Sequence, residues 1–444
     1  MDLSIDEVVE ALNGRFNGRT YPIRGVTTDT REMRKGDIFF ALKGPNFDGH
    51  QFIPEAIEKG ASYVVSEQTT RYPDRTIVVQ DTLRALGDLA KRRRRMFDLK
   101  VIAVTGSNGK TTTKEMIHAM LSSEGPAHKS QSSYNNLIGI PLTVFELTTA
   151  HRFAVLELGM NKAGEIARET EIIRPDVGVL TNIAPAHIGP LGSLSNIIKA
   201  KAELFDRLGK NHTAFINGDD TRAMKVAERT RARTCTFSVK AKSDYRATRL
   251  KLLWDRTEFS LRDMRFEIHA LGIENVYNAL AAIGVADVCG VGLHVMEKIL
   301  RDFRPPHLRA TVQTRGEVTI INDSYNSNPS SLKGALRWLT LSDGRRKIAV
   351  LGDMLELGES ARRYHLQLGR FARNHCDMLI GVGALSKYLA EGMGTRRARY
   401  FENKEEALRF LKRTVRPGDA ILIKGSRLMR MEDLARALLA SLSS

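Results

Sequence analysis

Short apolar runs alternate with helical patterns along the middle of the chain. The strand-like runs are VIAVTG at 101–106, FAVLEL at 153–158, VGVLTNI at 177–183 and TAFIN at 213–217. Apolar runs of this length with helical segments between them are typical of parallel strands with crossover helices. The pattern therefore predicts an α/β region with a mostly parallel sheet. The stretch 245–269 alternates differently and predicts a small antiparallel patch.

The chain before this region has an α/β pattern of its own. Its predicted elements are helices at 4–13 and 53–60, strands at 36–42, 61–66 and 76–80, and a helix capped by Asp81. Beyond Pro305 and Pro306, strand-like runs at 317–322, 347–351, 377–382 and 420–424 are each followed by a helical pattern. We therefore predict three α/β domains, at 1–97, 98–305 and 306–444. A length of 444 residues agrees, because it exceeds what one hydrophobic core usually supports.

Composition narrows the class of protein further. Apolar residues make up 42% of the chain, and no run approaches the roughly 20 apolar residues that span a bilayer. The first residues are acidic where a signal peptide is basic. The three cysteines lie far apart and form no C-x-x-C pair, so they indicate neither a zinc site nor a disulfide framework. These features predict a cytoplasmic protein without membrane insertion.

The net charge of +17 is unusual. Such a charge suits nucleic acid, or polyanionic small substrates whose local concentration it raises. The two basic clusters, KRRRR at 91–95 and RTRAR at 229–233, are not interleaved with the aromatic residues of a single-strand-binding surface. We interpret them mainly as solvated surface and predict no nucleic-acid partner. One substrate cleft does not account for the whole charge.

The stretch TGSNGKTTTKEM, at 105–116, follows an apolar strand and opens a helical pattern. Backbone N–H groups of Gly106 to Lys110 are placed to bind phosphate where the helix begins, with Lys110 reaching the outer phosphates. Thr111 offers a hydroxyl to Mg²⁺. The usual phosphate loop has a glycine at the position of Val104. Even with that departure, the order of strand, loop and helix predicts a nucleotide site.

Two polar residues stand at the C-terminal ends of predicted strands. Glu157 ends the strand of 153–158, and His187 follows the strand of 177–183. Ligands of open α/β sheets gather at this edge. Together with the phosphate loop, these residues predict ligands for one or two Mg²⁺ ions that would bridge ATP and a second substrate.

Several motifs occur along the chain in a fixed order. They are TTDTREMRKGDIFFALKGPNFDGHQFI, TGSNGKTTTKEM, YNNLIGIPLT, LELGMNKAGEI, TNIAPAHIGPLGS, KAKAELF, GIENVYNALAA, NDSYNSNP, VLGDMLELG and ILIKGSR. Taken together, these motifs resemble the Mur ligases, the ATP-dependent amide-bond formers of peptidoglycan precursor synthesis. The family loop T-G-x-N-G-K-T does without the glycine at Val104. The resemblance covers nearly the whole chain.

The resemblance also implies a reaction. DSYNSNP and VLGDMLELG are similar to the family member that adds D-alanyl-D-alanine, and the D-Y-A-H-T-P and D-N-P-R motifs of another member are lacking. The implied substrates are ATP, UDP-N-acetylmuramoyl-tripeptide and D-alanyl-D-alanine, with an acyl phosphate intermediate. The three domains would then be a UDP-sugar-binding domain, an ATP-binding domain and a Rossmann-like domain that binds the dipeptide. A monomer is expected.

The same resemblance assigns roles to individual residues. For ATP it implies Gly106, Ser107, Asn108, Gly109, Lys110, Thr111, Thr112, Asn275, Asn278, Arg309 and Asp323, although Glu274 stands where the family often has a histidine. Catalytic roles are implied for Lys110, Glu157, His187, Lys201 and Arg309, and metal binding for Thr111, Glu157, His187 and Lys201. For the UDP-sugar it implies Thr30, Arg31, Asp48, Gly49, His50, Asn135, Asn136 and Thr143. For the dipeptide and the reacting centre it implies Tyr325, Asn326, Asn328, Lys424, Ser426 and Arg427.

Lys201, in the stretch NIIKAKAELFDRL, corresponds to the family lysine that CO₂ carbamylates. Carbamylation turns a cation into an anionic oxygen ligand for Mg²⁺. Lys199 is the competing position, and the A-K-x-E register favours Lys201.

Three alternatives remain open from the sequence. A folylpolyglutamate synthase-like or other Mur-type amide ligase would share the loop and the domain plan but use a different amine; the former would not need the segment 27–52, with Arg31 and His50. A nucleic-acid-stimulated P-loop ATPase would account for the charge. A non-catalytic interaction protein would retain the fold alone, against which Gly109, Lys110 and Thr111 argue.

Overall fold

The computed structural model describes residues 3–45, 47–186 and 188–442. The contacts divide the chain into two compact units. The first comprises Met1–Ala103, Gly125–Met160 and Gly164–Asp176, and the second comprises Val104–Glu124, Asn161–Ala163 and Val177–Ser444. Both units are α/β, as predicted, while the predicted boundaries at 97/98 and 305/306 stay a prediction. Among the described residues, no helix is both long and apolar enough to cross a membrane.

Helices and strands alternate along most of the chain. Up to residue 180 they are α1 Ile5–Leu12, β1 Gly25–Thr27, β2 Asp37–Phe40, α2 Ile53–Glu58, β3 Tyr63–Ser66, β4 Thr76–Val78, α3 Thr82–Arg94, β5 Lys100–Thr105, α4 Lys110–Leu121, β6 Ala127–Lys129, α5 Gly139–Phe145, β7 Phe153–Glu157, α6 Glu165–Ile173 and β8 Val177–Leu180. From there to residue 302 they are α7 Ile188–Leu191, α8 Leu194–Asp206, β9 Thr213–Asn217, α9 Thr221–Ala227, β10 Arg233–Ser238, β11 Tyr245–Arg246, β12 Thr248–Leu252, β13 Thr257–Leu261, β14 Met264–Ile268, α10 Ile273–Val288 and α11 Leu293–Asp302. The remaining elements are β15 Thr311–Arg315, β16 Val318–Asn322, α12 Pro329–Thr340, β17 Arg346–Gly352, α13 Ala361–Ala372, β18 Met378–Val382, α14 Lys387–Met393, β19 Ala398–Phe401, α15 Lys404–Thr414, β20 Asp419–Lys424 and α16 Met431–Ser441, with 3-10 helices at Gly49–Phe52, Pro73–Arg75, Gly358–Ser360 and Arg427–Met429.

The first unit holds a four-stranded parallel sheet in the order β1-β2-β3-β4. Helix α1 starts with a capping box in which Ser4 and Glu7 satisfy each other's backbone N–H groups. Asp81 caps α3, as predicted, by accepting from the Arg84 N–H. The apolar faces of these helices pack on β2, β3 and β4 around Phe40 and Tyr63. In the same unit, β6 pairs in parallel with β7.

The interpretation of the basic cluster at 91–95 as mainly solvated surface is wrong for Arg93 and Arg94, whereas Arg92 and Arg95 are exposed. Arg93 and Arg94 are buried. Arg94 donates to the carbonyl oxygens of Ile173 and Phe97, each at 2.9 Å, and Arg93 stacks over the Phe97 ring. A guanidinium carries five donors in a planar fork and so satisfies several carbonyl groups at a loop. These two charges therefore hold the chain that follows α3.

In the second unit, β8, β9, β10 and β11 form a parallel ladder. Strands β12, β13 and β14 form a separate antiparallel sheet. The predicted antiparallel patch at 245–269 is therefore confirmed from Thr248 onward. It is wrong at Tyr245, whose strand extends the parallel ladder.

The C-terminal part of the second unit is a six-stranded sheet in the order β15-β16-β20-β17-β18-β19. All pairs are parallel except β15 with β16, an edge hairpin that the sequence interpretation missed. Alternate residues of the strands enter two different cores. One core, with Leu351 and Leu422, packs against α12, α13 and α14, and the other, with Val350 and Ile423, packs against α15 and α16. Helices thus cover both faces, as near-continuous apolar strands require.

The two tryptophans of the chain lie against each other in this unit. Trp254, in the turn between β12 and β13, stacks on Trp338 of α12 with ring centroids 5.1 Å apart and an interplanar angle of 17°. Trp338 is buried in the core beneath α12, and Trp254 covers it. The stack joins the antiparallel sheet to the C-terminal sheet domain.

Candidate active site

The phosphate loop lies between β5 and α4, as predicted. Gly109 is the N-cap of α4 and has φ +81°, a left-handed conformation that favours glycine. A Cβ at Gly109 would collide with Oδ1 of Asn278, and one at Gly106, with φ +148°, would collide with Oγ1 of Thr181. Both glycines are therefore required by backbone conformation and by close neighbours. The first turn of α4 consists of Lys110, Thr111 and Thr112.

Residues 181–184, after β8, hold the first half of the loop. The N–H groups of Ser107 and Asn108 donate to the backbone oxygen and to Oδ1 of Asn182, at 2.9 and 3.0 Å. The Asn108 carbonyl accepts from Thr181 Oγ1 at 2.6 Å, and Ser107 Oγ bonds to both polar backbone groups of Ala184. The N–H groups of Ser107 and Asn108 are therefore used to hold the loop against Asn182. This corrects the expectation that every backbone N–H group from Gly106 to Lys110 points toward phosphate. The sequence interpretation missed Thr181 and Asn182, although both stand at the end of a predicted strand.

Arg309 contacts the first turn of α4. Its Nη2 donates to Thr111 Oγ1 at 2.8 Å, and its guanidinium lies 4.0 Å from the centre of the Tyr325 ring. The flanking residues Leu308 and Ala310 have φ +62° and +53°. A left-handed conformation costs a residue other than glycine roughly 1–2 kcal/mol. The backbone around Arg309 therefore lowers the free energy of unfolding while it holds the guanidinium at the loop.

Lys201 is buried on α8, with 2% of its surface exposed, whereas Lys199 is exposed. Its Nζ donates to the carbonyl oxygen of Gly106 at 2.9 Å. A lysine on a half-buried helix usually extends into solvent, so this position is informative. Of the two candidate lysines, Lys201 is the one that reaches the phosphate loop.

Asn275 and Asn278 lie on the first turns of α10 and link that helix to α4. Asn278 Oδ1 accepts from Thr113 Oγ1 at 3.2 Å, and its Nδ2 donates to Asn275 Oδ1 at 2.9 Å. Asn275 Nδ2 donates to the Leu271 carbonyl at 2.8 Å. The amides therefore support the loop glycine from behind. Their predicted contacts to adenine and ribose stay predictions.

The segment 323–328 is held by a buried lysine. Nζ of Lys424, which is 3% exposed, donates to Asp323 Oδ2 at 2.6 Å and to the Asn326 carbonyl at 2.9 Å. The other carboxylate oxygen of Asp323 accepts from the Ala310 N–H at 3.1 Å. Lys424 and Asp323 thus fix the segment and the frame of Arg309. Their predicted roles toward the reacting centre and ribose are untested.

Three further predicted residues are engaged near this segment. Asn328 is the N-cap of α12: its Oδ1 accepts from the Ser331 N–H at 3.0 Å, and its Nδ2 donates to Asn108 Oδ1 at 2.6 Å. Ser426 Oγ accepts from the Leu355 N–H at 2.8 Å. Arg427 is half exposed and donates to Glu432 Oε1 at 2.5 Å. Of these, Asn328 touches the phosphate loop directly.

In the first unit, the predicted UDP-sugar residues Asp48, Gly49 and His50 form one tight turn. Asp48 Oδ1 accepts from the His50 N–H and ring Nδ1 at 3.0 and 2.6 Å, and the backbone hydrogen bond in particular lowers the pKa of Asp48. His50 Nε2 accepts from the Glu67 N–H at 3.1 Å, so the ring proton lies on Nδ1. A Cβ at Gly49 would overlap the Leu42 carbonyl. The turn is therefore built by these residues themselves.

Thr30 and Arg31 are neighbours in one loop of the same unit, in which Thr30 is buried and Arg31 is exposed. Arg31 binds the Asp29 carboxylate with Nε and Nη2, and these hydrogen bonds lower the pKa of Asp29 to about 2. The Thr30 carbonyl accepts from Lys59 Nζ at 2.9 Å. The guanidinium of Arg31 is largely exposed and accessible to an anion.

Glu157, at the end of β7, is buried and accepts from Asn135 Nδ2 at 2.8 Å. Asn136 Oδ1 accepts from the Ile138 and Gly139 N–H groups at the start of α5. Thr143 donates to the Gly139 carbonyl within α5, so its hydroxyl bonds within its own helix.

His187, another residue predicted to bind a metal ion, lies outside the described residues. Within the part of the chain that the structure describes, no group of three or more His, Cys, Asp or Glu is arranged to hold a metal ion.

Comparison with known proteins agrees with this arrangement. Residues 22–94 match the catalytic domain of the Mur ligase family, 104–286 the Mur ligase middle domain, and 309–427 the Mur ligase glutamate ligase domain. The chain is 34% identical to UDP-N-acetylmuramoyl-tripeptide–D-alanyl-D-alanine ligase of Bacillus subtilis (strain 168), covering 99% of this chain and 98% of that one.

Solved structures show the same fold. The crystal structure of MurF from Acinetobacter baumannii superposes with a TM-score of 0.92 at 33% identity, covering 98% of both chains. That of MurF ligase from Thermotoga maritima in complex with ADP has a TM-score of 0.86 at 29% identity, covering 94% of this chain and 98% of that one. The predicted plan of N-terminal, central and C-terminal domains is thereby confirmed. The chain belongs to the Mur ligase family.

Proposed function

We propose that the chain is an ATP-dependent ligase that joins D-alanyl-D-alanine to UDP-N-acetylmuramoyl-tripeptide. The observation that carries the proposal is the 2.8 Å hydrogen bond from Arg309 to Thr111, which joins the C-terminal domain to the phosphate loop. A ligase of this kind needs the phosphate loop and the C-terminal domain together, because the loop binds the ATP that activates a carboxylate and the C-terminal domain brings the amine. The Bacillus subtilis relative supports the choice of substrates.

The reaction has two steps. The terminal carboxylate of the UDP-linked tripeptide attacks the γ-phosphorus of ATP, which gives an acyl phosphate and releases ADP. The amine of D-alanyl-D-alanine then attacks the acyl carbon, and phosphate leaves as the amide bond forms. In the first step Lys110 and Arg309 neutralise the charge of the transferred phosphoryl group, and the first turn of α4 orients it. Closure of the C-terminal domain excludes the water that would hydrolyse the acyl phosphate.

We infer that Mg²⁺ takes part, held by Thr111, Glu157 and His187. A threonine hydroxyl and a carboxylate are the oxygen donors that this ion prefers, and Mg²⁺ usually binds one or two such side chains together with phosphate oxygens. When bound, Mg²⁺ would neutralise charge on the phosphates.

We further propose that Lys201 is carbamylated. Its burial beside the Gly106 carbonyl supports this, because a buried ammonium near a metal site is unfavourable, while a carbamate adds an anionic ligand. Lys201→Ala is expected to abolish activity, with no recovery in high bicarbonate and partial recovery with a short-chain carboxylate. Lys199→Ala, on the exposed side of the same helix, is the matched control. Full activity of Lys201→Ala without a carboxylate would exclude the role.

For the UDP-sugar we propose the first unit, where the exposed guanidinium of Arg31 is the group most accessible to the diphosphate. Other predicted residues of this unit bond within the chain: Asp48 and His50 in their shared turn, Asn135 to Glu157, and Asn136 at the start of α5. For the dipeptide we propose Tyr325 and Asn326 of the C-terminal domain. We also expect a cytoplasmic monomer.

The test is phosphate release by the purified protein with Mg-ATP and UDP-N-acetylmuramoyl-tripeptide, in which only the amine varies. D-alanyl-D-alanine, single D- and L-amino acids and no amine are compared, and single-stranded DNA replaces both substrates in a further sample. Release that requires the dipeptide, with a product heavier by the dipeptide minus water, is the expected result. Release with a single amino acid would identify another ligase of this fold, and release driven only by DNA would contradict the proposal.

A further inference from the structure

Asn328 uses both ends of its side-chain amide, and the two ends face different parts of the protein. Oδ1 accepts from the Ser331 N–H at 3.0 Å and so caps α12. Nδ2 donates to Oδ1 of Asn108, in the phosphate loop, at 2.6 Å. We propose that Asn328 is a positioning residue rather than a residue that binds the dipeptide. It fixes the position of α12 and of the segment 323–328 relative to the phosphate loop.

The cap fixes which end of the amide meets the loop. A backbone N–H needs an acceptor, so Oδ1 must face Ser331 and the donor Nδ2 must face away from α12. The backbone of the partner, Asn108, is held by Thr181 and Asn182. A hydrogen bond from a helix cap to the side chain of a residue whose backbone is held restricts the relative position of the two elements.

This bond and the Arg309 contact form a pair. Arg309 meets the loop at Thr111 and Asn328 meets it at Asn108, three residues earlier. Two contacts restrict the orientation of the C-terminal domain at the loop more than one contact does, and they act there in addition to the Trp254–Trp338 stack. Loss of Asn328 is therefore expected to misplace Arg309 without removing any group that touches substrate, and small misplacements are costly to reaction rates.

The test separates the cap from the contact with Asn108. Asn328→Ser retains the cap, since serine and asparagine cap helices about equally well, but the shorter side chain cannot reach Asn108. The matched control is Asn403→Ser. Asn403 caps α15 in the same domain by accepting from the Glu406 N–H at 2.9 Å, and it is exposed. Both variants are expected to melt within about 2 °C of the wild type.

Because the proposal rests on the proposed ligase function, the kinetic readout is ligation of D-alanyl-D-alanine. We expect Asn328→Ser to lower kcat about 5- to 10-fold, which corresponds to one lost hydrogen bond, with KM for the dipeptide unchanged. Asn403→Ser is expected to match the wild type. A raised KM for the dipeptide at unchanged kcat, or no effect on either, would overturn the proposal. In the first case, Asn328 would bind the dipeptide.

A second readout does not depend on ligation. Trp338 lies on α12, the helix that Asn328 caps, and it stacks on Trp254; these two are the only tryptophans of the chain. Their emission therefore reports the position of α12. Asn328→Ser is expected to change the intensity or maximum of emission, and Asn403→Ser is not. If the wild type did not ligate the dipeptide, the proposed function would fail while an emission difference would still support the positioning role, and identical spectra would overturn it.

Discussion

The phosphate loop, residues 106–112, and the segment 323–328 both carry motifs rich in polar residues, but the two regions use them differently. In the loop, glycines set the backbone, and neighbours such as Thr181 and Asn278 support it from outside. In the segment, the polar side chains mostly hold the chain itself, through Lys424 and the Asp323 carboxylate. The phosphate loop is thus held by residues from other elements, whereas the polar side chains of the segment 323–328 are mainly occupied in holding the segment in place.

The difference has a physical basis. Phosphate binding uses backbone N–H groups and one lysine where a helix begins, so the necessary residues are consecutive in sequence. An amine site on the C-terminal domain has to be brought to the loop, and the groups that do so are distant in sequence. Lys424 lies 101 residues beyond Asp323, and Asn328 lies 220 residues beyond Asn108. Changes in the two regions should therefore affect different properties.

The largest effect is expected for Lys110→Ala in the loop. Removal of one strong charge-stabilising donor typically lowers turnover by about 10²–10³-fold, and we expect at least that loss here. The residue lies on the first turn of α4, so a moderate change in folding stability is expected beside it. Steady-state turnover and the melting temperature of the same preparation test this, and near-normal turnover would contradict the phosphate role.

In the segment, Lys424→Met is expected to act on stability first. Breaking a buried ion pair usually costs roughly 3–5 kcal/mol, because one charge is left without its partner. About a fifth of the Asp323 side chain, 21%, reaches solvent, so we expect a smaller loss of about 2–3 kcal/mol. The measurement is the free energy of unfolding in urea.

Arg436→Met is the control for Lys424→Met, because Arg436 forms an exposed pair with Asp433, and such pairs contribute about 0–1 kcal/mol. If both variants lost the same small amount, Lys424 would not be the support of the segment. If Lys424→Met lost activity at full stability, its role would be in the reaction.

The same contrast shows what the sequence could establish. The α/β class, the strands with the longer apolar runs and the loop followed from apolar periodicity and a short motif, whereas strands such as β15 and β19 did not. Buried Arg93 and Arg94 could not be distinguished from solvated arginines, because their carbonyl partners lie in other elements. For the same reason, Asn328 and Lys424 were identified as site residues while their partners were invisible. Thr181 and Asn182, which hold the phosphate loop, were missed altogether, because their contacts to Asn108 also cross between elements.

A smaller effect is expected for Gly109→Ala. An alanine at φ +81° pays the cost of a left-handed backbone, and its Cβ would also collide with Asn278. Gly164, the N-cap of α6 with φ +90°, is a matched control because a Cβ there meets nothing within 4 Å. We expect a loss of about 1 kcal/mol for Gly164→Ala and about 2 kcal/mol for Gly109→Ala, measured by urea unfolding. Equal losses would show that Asn278 yields at no cost and does not support the loop.

The smallest effect is expected for His365, which contacts the loop after β17, beside the segment 323–328. Buried His365 accepts from the Met354 N–H at Nε2, at 3.1 Å, and its Nδ1 lies 2.7 Å from the Ala361 carbonyl, so the ring is neutral with its proton on Nδ1. Leu355, which follows Met354 in the chain, donates its N–H to Ser426 Oγ. Burial lowers the pKa of His365, a shift that the Ala361 contact and nearby Asp353 only partly offset.

The direction of the pH effect follows from the lowered pKa. Below the unfolded pKa of about 6.5, the unfolded chain binds a proton at His365 that the folded protein resists, so stability falls as the pH decreases. We expect His365→Gln to reduce, by about 1 kcal/mol, the stability difference between pH 7.5 and pH 5.5 in urea unfolding. His375→Gln removes a histidine whose Nδ1 also contacts a carbonyl four residues earlier, at 2.8 Å, and is the control. An unchanged difference in His365→Gln would mean that another group sets the pH response, and that the supports of the segment are insensitive to protons.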